Sequence, residues 1–507
     1  MHTRSNRRKT PVTLLAASIG LALYAPAFAQ DSQDPQGAGQ GGEAVELETV
    51  VVTGYRASLE RAIDIKRGEA GVVDAIVAED VGKFPDLNLA ESLQRIPGVV
   101  ITRDAGEGRN ISVRGLGPDF TRVRINGMEA LTTVNSSDQN GGTNRSRGFD
   151  FNVFASDLFQ QMIVRKTASA EVDEGSLGAT VDLRTARPFD YDGLTVAASG
   201  QVSYGDMGGD ADPRVAALVS NTWADGRFGA LLSVAYSEKT TLEEGTGSGR
   251  WANGTSNGGF NPASTFTDAM RADVFHPRFP RYTWMEHDQK RTGVTGALQF
   301  KPGDDTEITL EGLYSKIDAT RREHYIEAIS FSRGASQGGK PETIVRDGYV
   351  DPATGALLYG QFDNVDVRAE HRYDEWDTVF KQIGLNLTHD FTDAFTVNAK
   401  VGTSSSEHQN PVQTTIMMDK LNVGGYSYDY RGNKWAPVLN YGIDPNDPNG
   451  WTLSTIRMRQ NRVDNDFDVG QVDFNWAISP GFRLKGGVQA KDYSFDSKEW
   501  RRTANEA

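Results

Sequence analysis

The chain contains no cysteine among its 507 residues. Disulfide scaffolds, thiolate zinc sites, cysteine nucleophiles and thiolate-held iron–sulfur clusters are therefore excluded. Basic residues are too few for a general nucleic-acid binder: 53 Lys+Arg stand against 68 Asp+Glu, a net charge of −15. Apolar residues reach only 38%, which excludes a bundle of membrane helices. The one long uncharged stretch suited to a membrane is Thr10 to Ala29. Proline is sparse, at 19, and glycine abundant, at 54, a balance that suits strands and turns better than packed helices.

That N-terminal stretch reads as an address. Arg4, Arg7, Arg8 and Lys9 precede an apolar core from Val12 to Tyr24 and a small-x-small site, Ala27-Phe28-Ala29. The order predicts a secretory signal peptide over 1–29. Residues 30–45 are polar and Gly-rich and read as a flexible linker. Residues 46–54 follow, with Glu48, Thr49, Val50, Val51, Val52 and Thr53 as a short β-prone run. Two readings stay open on residues alone: an ordinary first strand, or a strand offered to another protein's sheet edge.

A compact α/β segment is predicted over 60–190. Leu89, Leu93 and Ile96 share one helical face, and Pro97-Gly98 stops it. Val99–Thr102, Asn110–Arg114, Thr121–Ile125 and Ala179–Thr185 read as strands, and Asn126-Gly127 as a hairpin turn. Between them, 132–148 is a polar loop. The GLGP glycines do not open a phosphate loop, since neither GxGxxG nor GK[ST] follows.

These motifs, in this order, resemble the TonB-dependent outer-membrane receptors. ETVVVTG is similar to their TonB box. NLAESLQRIPGV, ISVRGLGPDFTRVRINGM and SDLFQQMIVRKTASAEVDEGSLGATVDLRTARPFD are similar to their plug domain. The spacing ASLERAIDIKR…DVGKFPDLNLAESLQRIPGV most resembles a subfamily associated with oligosaccharide uptake. The resemblance implies a Gram-negative outer-membrane location and energised solute import. It implies TonB as a periplasmic partner bound through Glu48–Thr53 by strand addition, and no cofactor.

From 194 onward the apolar residues alternate. Leu194 to Tyr204, Phe228 to Tyr236, Val294 to Phe300, Ile308 to Tyr314, Ile383 to Leu387, Phe395 to Val401, Val472 to Ile478 and Phe482 to Ala490 each keep one parity. With 215–221 this makes about nine strands. Short turns alternate with long connections, 239–289, 319–375 and 408–464, of 51, 57 and 57 residues. Membrane barrels show that asymmetry and soluble sandwiches do not. The expected fold is therefore mainly β: a small α/β plug, then the N-terminal part of a transmembrane antiparallel barrel over 194–507, in contact with outer-membrane lipid. The family's barrel has 22 strands, so the sequence is expected to be a fragment or an interrupted gene that makes no working pore by itself.

Three functions are open: an oligosaccharide importer, a ferric-siderophore or haem receptor, and a ligand-sensing signal transducer. The third is disfavoured because family transducers carry an extra periplasmic domain where only residues 30–45 lie here. The long connections hold 19 aromatic residues, with 21 acidic and 18 basic ones, a near balance that favours a neutral sugar. Candidate solute contacts are Asn135, Arg145 and Arg147 in the polar plug loop, and Trp251, Trp284 and Trp435. Tyr325, Tyr426, Tyr428, Tyr430 and Trp451 are further candidates for stacking on sugar rings. His276, His287, His324, His371 and His408 are expected to be solvated loop residues, since no HxxxH spacing links them. No catalytic constellation and no metal site is expected, so the chain reads as a non-enzyme.

Overall fold

A computed structural model describes residues 53–78, 88–137 and 140–502. The expected signal peptide, linker and Glu48–Val52 lie outside the described residues. Thr53, the last residue of the expected box, opens a helix, Thr53–Gly68, instead of ending a strand.

The second helix, Leu89–Gln94, is the amphipathic one. Asn88 caps it with an extended backbone, and its side-chain oxygen accepts from Ala90 N at 2.8 Å. That satisfies one of the amides a helix start leaves open. Leu89 and Leu93 are fully buried. The plug strands are β1 (Val73–Val77), β2 (Val99–Asp104), β3 (Glu107–Val113), β4 (Thr121–Ile125), β5 (Met128–Glu129), β6 (Phe159–Arg165) and β7 (Ala179–Thr185). Five of them form a sheet in the order β1-β6-β7-β4-β5, in which only β4 and β7 run parallel. β2 and β3 form a separate hairpin. The β4–β5 turn is Asn126-Gly127, at φ +51° and +77°, the left-handed pair that a two-residue hairpin requires.

The long sheet begins with β8 (Thr195–Tyr204), β9 (Ala211–Trp223) and β10 (Phe228–Gly247). Short β11 (Trp251–Asn253) and β12 (Phe275–Pro277) pair with each other. β13 (Arg281–Gly303) and β14 (Thr306–Ala328) follow. β15 (Ile344–Val350) and β16 (Leu357–Asp363) precede β17 (Val365–Thr392) and β18 (Phe395–Val423). β19 (Tyr426–Asp429), β20 (Val438–Asn440) and β21 (Thr452–Met458) lead to β22 (Asn461–Ser479) and β23 (Phe482–Glu499). Nine strands lie side by side in chain order: β8, β9, β10, β13, β14, β17, β18, β22 and β23. β21 adds to the far end of β18. The order ends at β8 and β23, which do not pair with each other among the described residues.

The sheet is polar towards the plug and apolar away from it. Leu232, Leu298, Leu310, Leu385, Val401 and Val472 are exposed on the outer face. Gln299, Thr309, Ser315, Thr378, Gln382 and Ser404 are buried on the inner one. An apolar outer band over a polar lumen is the pattern of a membrane barrel wall. At the end of the short turns the rings gather: Trp223 stacks on Phe228 at 5.6 Å, and Phe395 meets Trp476 at 6.4 Å. Aromatic residues collect at a membrane interface in this way. The inner face also carries Ala235, Leu313, Ile317 and Phe380, which join the plug's own hydrophobic cluster.

One expectation needs correction. The connections 239–289, 319–375 and 408–464 are not irregular loops. The wall strands run on into both ends of each, with β17 and β18 reaching 28 and 29 residues. Residues past the apolar band are polar on both faces, so no alternation marks them as strands. What remains between the strands folds into a small subdomain. β15, β16, β19 and β20 form its sheet, over a core of Phe260, Phe331, Phe362, Tyr426, Tyr428 and Tyr441.

Candidate vestibule above the plug

The polar plug loop is built around one carboxylate. Asp150 is fully buried and accepts from Arg109 Nε at 2.6 Å, Asn110 Nδ2 at 2.9 Å, Val134 N at 2.9 Å and Asn144 Nδ2 at 3.0 Å. A stretch with almost no apolar side chains is thus ordered by charge-assisted hydrogen bonds instead of by a core. Thr132 Oγ1 closes the same knot on the Asp150 carbonyl, at 2.8 Å.

The wall grips this plug with polar contacts. Thr378 Oγ1 donates to Thr133 O at 2.7 Å, Gln382 Nε2 to Ile125 O at 2.9 Å, and Ser315 Oγ to Val153 O at 2.8 Å. Arg321 pairs with Asp104, and Arg291 with Glu107 at 2.9 Å. Burial alone would raise the Glu107 carboxyl. Arg291, Lys239 and a hydrogen bond from Gln289 outweigh it and bring its pKa down to about 2.

Above the plug, a cavity of about 680 Å³ is lined by Arg278, Arg333, Arg368 and Arg457, with Asp366, Asp419, Ser332 and Thr455 among its other residues. Arg368 sits on β17 at the parity of Thr378 and Phe380, the residues that touch the plug. The cavity therefore opens on the inner face of the wall. Arg368 makes a bidentate pair with Asp419, at 2.7 and 3.0 Å. Arg333 bridges Asp366 and Asp419, at 3.0 and 2.8 Å. Four arginines face two aspartates here, an excess of positive charge. Burial and the neighbouring Arg250 pull the Arg278 pKa down, and its Nε is buried without a hydrogen-bond partner among the described residues. The chemistry suits an anion with several oxygen acceptors.

The expected contact residues do not converge. Asn135 is buried and accepts from Thr143 at 3.2 Å. Arg145 is paired with Glu499, and Arg147 lies 3.9 Å from Glu129. Trp251 packs edge-on against Tyr430 at 5.4 Å. Trp284 meets His324 at 4.9 Å. Trp435 is 90% exposed. Tyr325, Tyr426, Tyr428 and Tyr430 are buried, not free to stack on a solute. Three histidines also depart from expectation: His276, His287 and His408 are buried. Burial and the charge of Lys340 pull the His276 pKa down to about 3. The vestibule arginines were missed because a count over whole connections averages them with acids that face elsewhere; strand parity could have hinted only at Arg368 and Arg457, since Arg278 and Arg333 lie between strands.

The external subdomain has its own polar centre. Lys340 Nζ donates to Asn253 O, Gly254 O and Ser256 O, each at 3.0 Å, and lies 4.6 Å from the Phe260 ring centroid. Burial pulls its pKa down to about 7.

Residues 66–180 match the TonB-dependent Receptor Plug Domain. The chain is similar to the ferric enterobactin receptor PirA of Pseudomonas aeruginosa, 28% identical over 38% of this chain and 25% of the relative. A ferric enterobactin receptor of the same species is 30% identical over 29% of this chain and 20% of the relative. A probable TonB-dependent siderophore receptor of Acinetobacter baumannii is 26% identical over 34% and 23%. The aligned regions span about a quarter of the length of these curated relatives. Among solved structures, a variant ferric enterobactin receptor of Pseudomonas aeruginosa in complex with enterobactin aligns over 83% of this chain and 62% of its own. Its sequence identity is 12% and its TM-score 0.35. The chain carries a plug of this type and part of a β-barrel of the Gram-negative outer membrane.

Proposed function

We propose that the chain supplies the plug and nine wall strands of a TonB-dependent importer whose cargo is a ferric siderophore or a similarly anionic metal chelate. The observation that carries this is the arginine-lined cavity on the inner face above the plug. Arg278 and Arg457 offer planar donor forks to carboxylate, catecholate or hydroxamate oxygens, beside Arg333 and Arg368, whose forks are held by Asp366 and Asp419. The names of the relatives point the same way.

The second reading is an oligosaccharide, which the motif spacing favours. Its support weakens with the aromatic residues: four tyrosines expected to stack on sugars are buried. In the preferred reading, chelate bound above the plug releases the box, and Glu48–Thr53 adds a strand to TonB by main-chain pairing. Lipid covers the apolar outer band.

The test is uptake by cells expressing the whole receptor. Labelled ferric chelate is expected to enter, and Arg278→Ala with Arg457→Ala to cut its binding about a hundredfold, as loss of two charge-assisted contacts would. Val51→Pro is expected to abolish transport while leaving binding intact, since it removes a pairing N–H. Uptake of labelled oligosaccharide but not of chelate would overturn the cargo. Undiminished transport by Val51→Pro would overturn the box.

A further inference from the structure

His324 on β14 and His371 on β17 stand directly opposite each other in the antiparallel register. Their Nδ1 atoms are 3.2 Å apart and their ring centroids 4.3 Å. On the other flank, His324 is the register partner of Trp284 on β13, whose ring meets it edge-on at 4.9 Å.

The pair lies on the outer face of the wall, away from the plug. On β14 the odd positions Leu313, Ile317, Arg321 and Glu323 are buried inward, while His324 shares parity with the exposed Leu310 and Tyr314. It also lies outside the hydrocarbon. The apolar outer residues end at Tyr314, and Lys316, Asp318, Thr320 and Arg322 take the following outer positions. Ten residues separate Tyr314 from His324, about 30 Å along a strand. His324 is exposed, so the pair faces external solution.

Two imidazole nitrogens that share one ion at the usual 2.0–2.1 Å, with an angle between octahedral and tetrahedral, stand about 2.9–3.4 Å apart. The two Nδ1 atoms share a hydrogen bond at 3.2 Å, a distance within that window, so an ion would take the place of the shared proton with little movement of either ring. The ladder fixes both backbones, so little ordering is needed to bring the ligands together. Arg322, whose charge acts on both histidines, is countered by Glu286 at 3.2 Å and Asp288 at 3.8 Å.

We propose that His324 and His371 form a surface site for a divalent transition-metal ion such as Zn²⁺, Ni²⁺ or Cu²⁺, with water in the remaining positions. No cluster of three or more His, Asp or Glu ligands occurs among the described residues, so the ion is held by two side chains and exchanges readily. Imidazole selects these borderline ions over Mg²⁺ and Ca²⁺, which prefer oxygen. The site is independent of the vestibule and of the cargo.

The experiment titrates the full, untagged chain in detergent micelles with ZnSO₄ by calorimetry, and with CuSO₄ by electron paramagnetic resonance. One zinc site is expected that His324→Ala or His371→Ala weakens about tenfold or more, and that millimolar Ca²⁺ does not displace. A copper species with two nitrogen couplings is expected in the wild type and absent from the double variant. Copper should also quench tryptophan emission less in Trp284→Phe. The pair His324→Asn and His371→Asn keeps polarity and size, and is read if the alanine variants lose β-sheet signal. Equal zinc binding by the wild type and a folded double variant, or an unchanged copper spectrum, would overturn the site.

Discussion

Arg321 of the wall and Asp104 of the plug form an ion pair whose side chains keep only 2% and 6% of their exposure. Burial alone would raise the Asp104 carboxyl; Arg321, Asn140 and Arg109 hold it well below the usual range. The pair ties the plug hairpin β2–β3 to the inner face of β14.

Asp104→Asn is therefore expected to loosen the plug. It leaves Arg321 buried without its counter-charge, a loss of about 3–5 kcal/mol. Hydrogen exchange in β2 and β3 should speed up, and the double variant Asp104→Asn/Arg321→Met should recover most of the protection. Unchanged exchange in the single variant would mean that the pair does not hold the plug.

Acid should act at the neighbouring pair. The Glu107 pKa is about 2 in the fold against an ordinary 4.5. A depressed folded value means that its contribution is complete above about pH 4.5 and fades as the pH falls towards 2. Exchange in β3 should rise across that window, and Glu107→Gln should flatten the dependence. A β3 exchange profile that is the same in wild type and variant after correction for intrinsic rates would refute this.

Asp150→Ala should disorder the plug loop. Four donors lose their acceptor at once, and three of them, Arg109, Asn110 and Asn144, are side chains held by this carboxylate. Asn110 and Asn144 keep bonds to Phe149 O and Gly148 O, so the groups left stranded are Arg109 Nε and Val134 N, at about 1–3 kcal/mol each. Limited proteolysis should cut within 132–148, where the wild type resists.

Lys340→Met keeps the stem of the side chain and removes its three protons. Asn253, Gly254 and Ser256 then lose a shared donor. The external subdomain should lose about 2–4 kcal/mol, seen as faster exchange around 253–256 with the plug unaffected. A plug that loosens in parallel would show that the subdomain does not unfold independently.

Much of this architecture is written locally. Leu89 and Leu93 with Asn88 before them specify a capped helix, and Asn126-Gly127 a tight hairpin, because short-range backbone preferences decide both. The alternation of Val294 to Phe300 and of Ile383 to Leu387 marks wall strands, because lipid on one side and the plug on the other impose a period of two. Beyond Ile317 and before Trp376 polar residues dominate both faces, and the signal fades although the ladder continues. The tyrosines of the external subdomain were misread for a related reason: an aromatic residue in a polar stretch looks available until its core is seen.

The sequence by itself determined the order of plug and wall strands, the membrane-facing parity and the family resemblance, all properties of neighbouring residues. Only the tertiary structure decided which charges meet. Asp104 and Arg321 are 217 positions apart, and Arg278, Arg368 and Arg457 come from separate connections. His324 and His371, 47 positions apart, are brought to 3.2 Å by a ladder register. Pairings of that kind depend on how strands align across the sheet, and no local preference encodes that alignment.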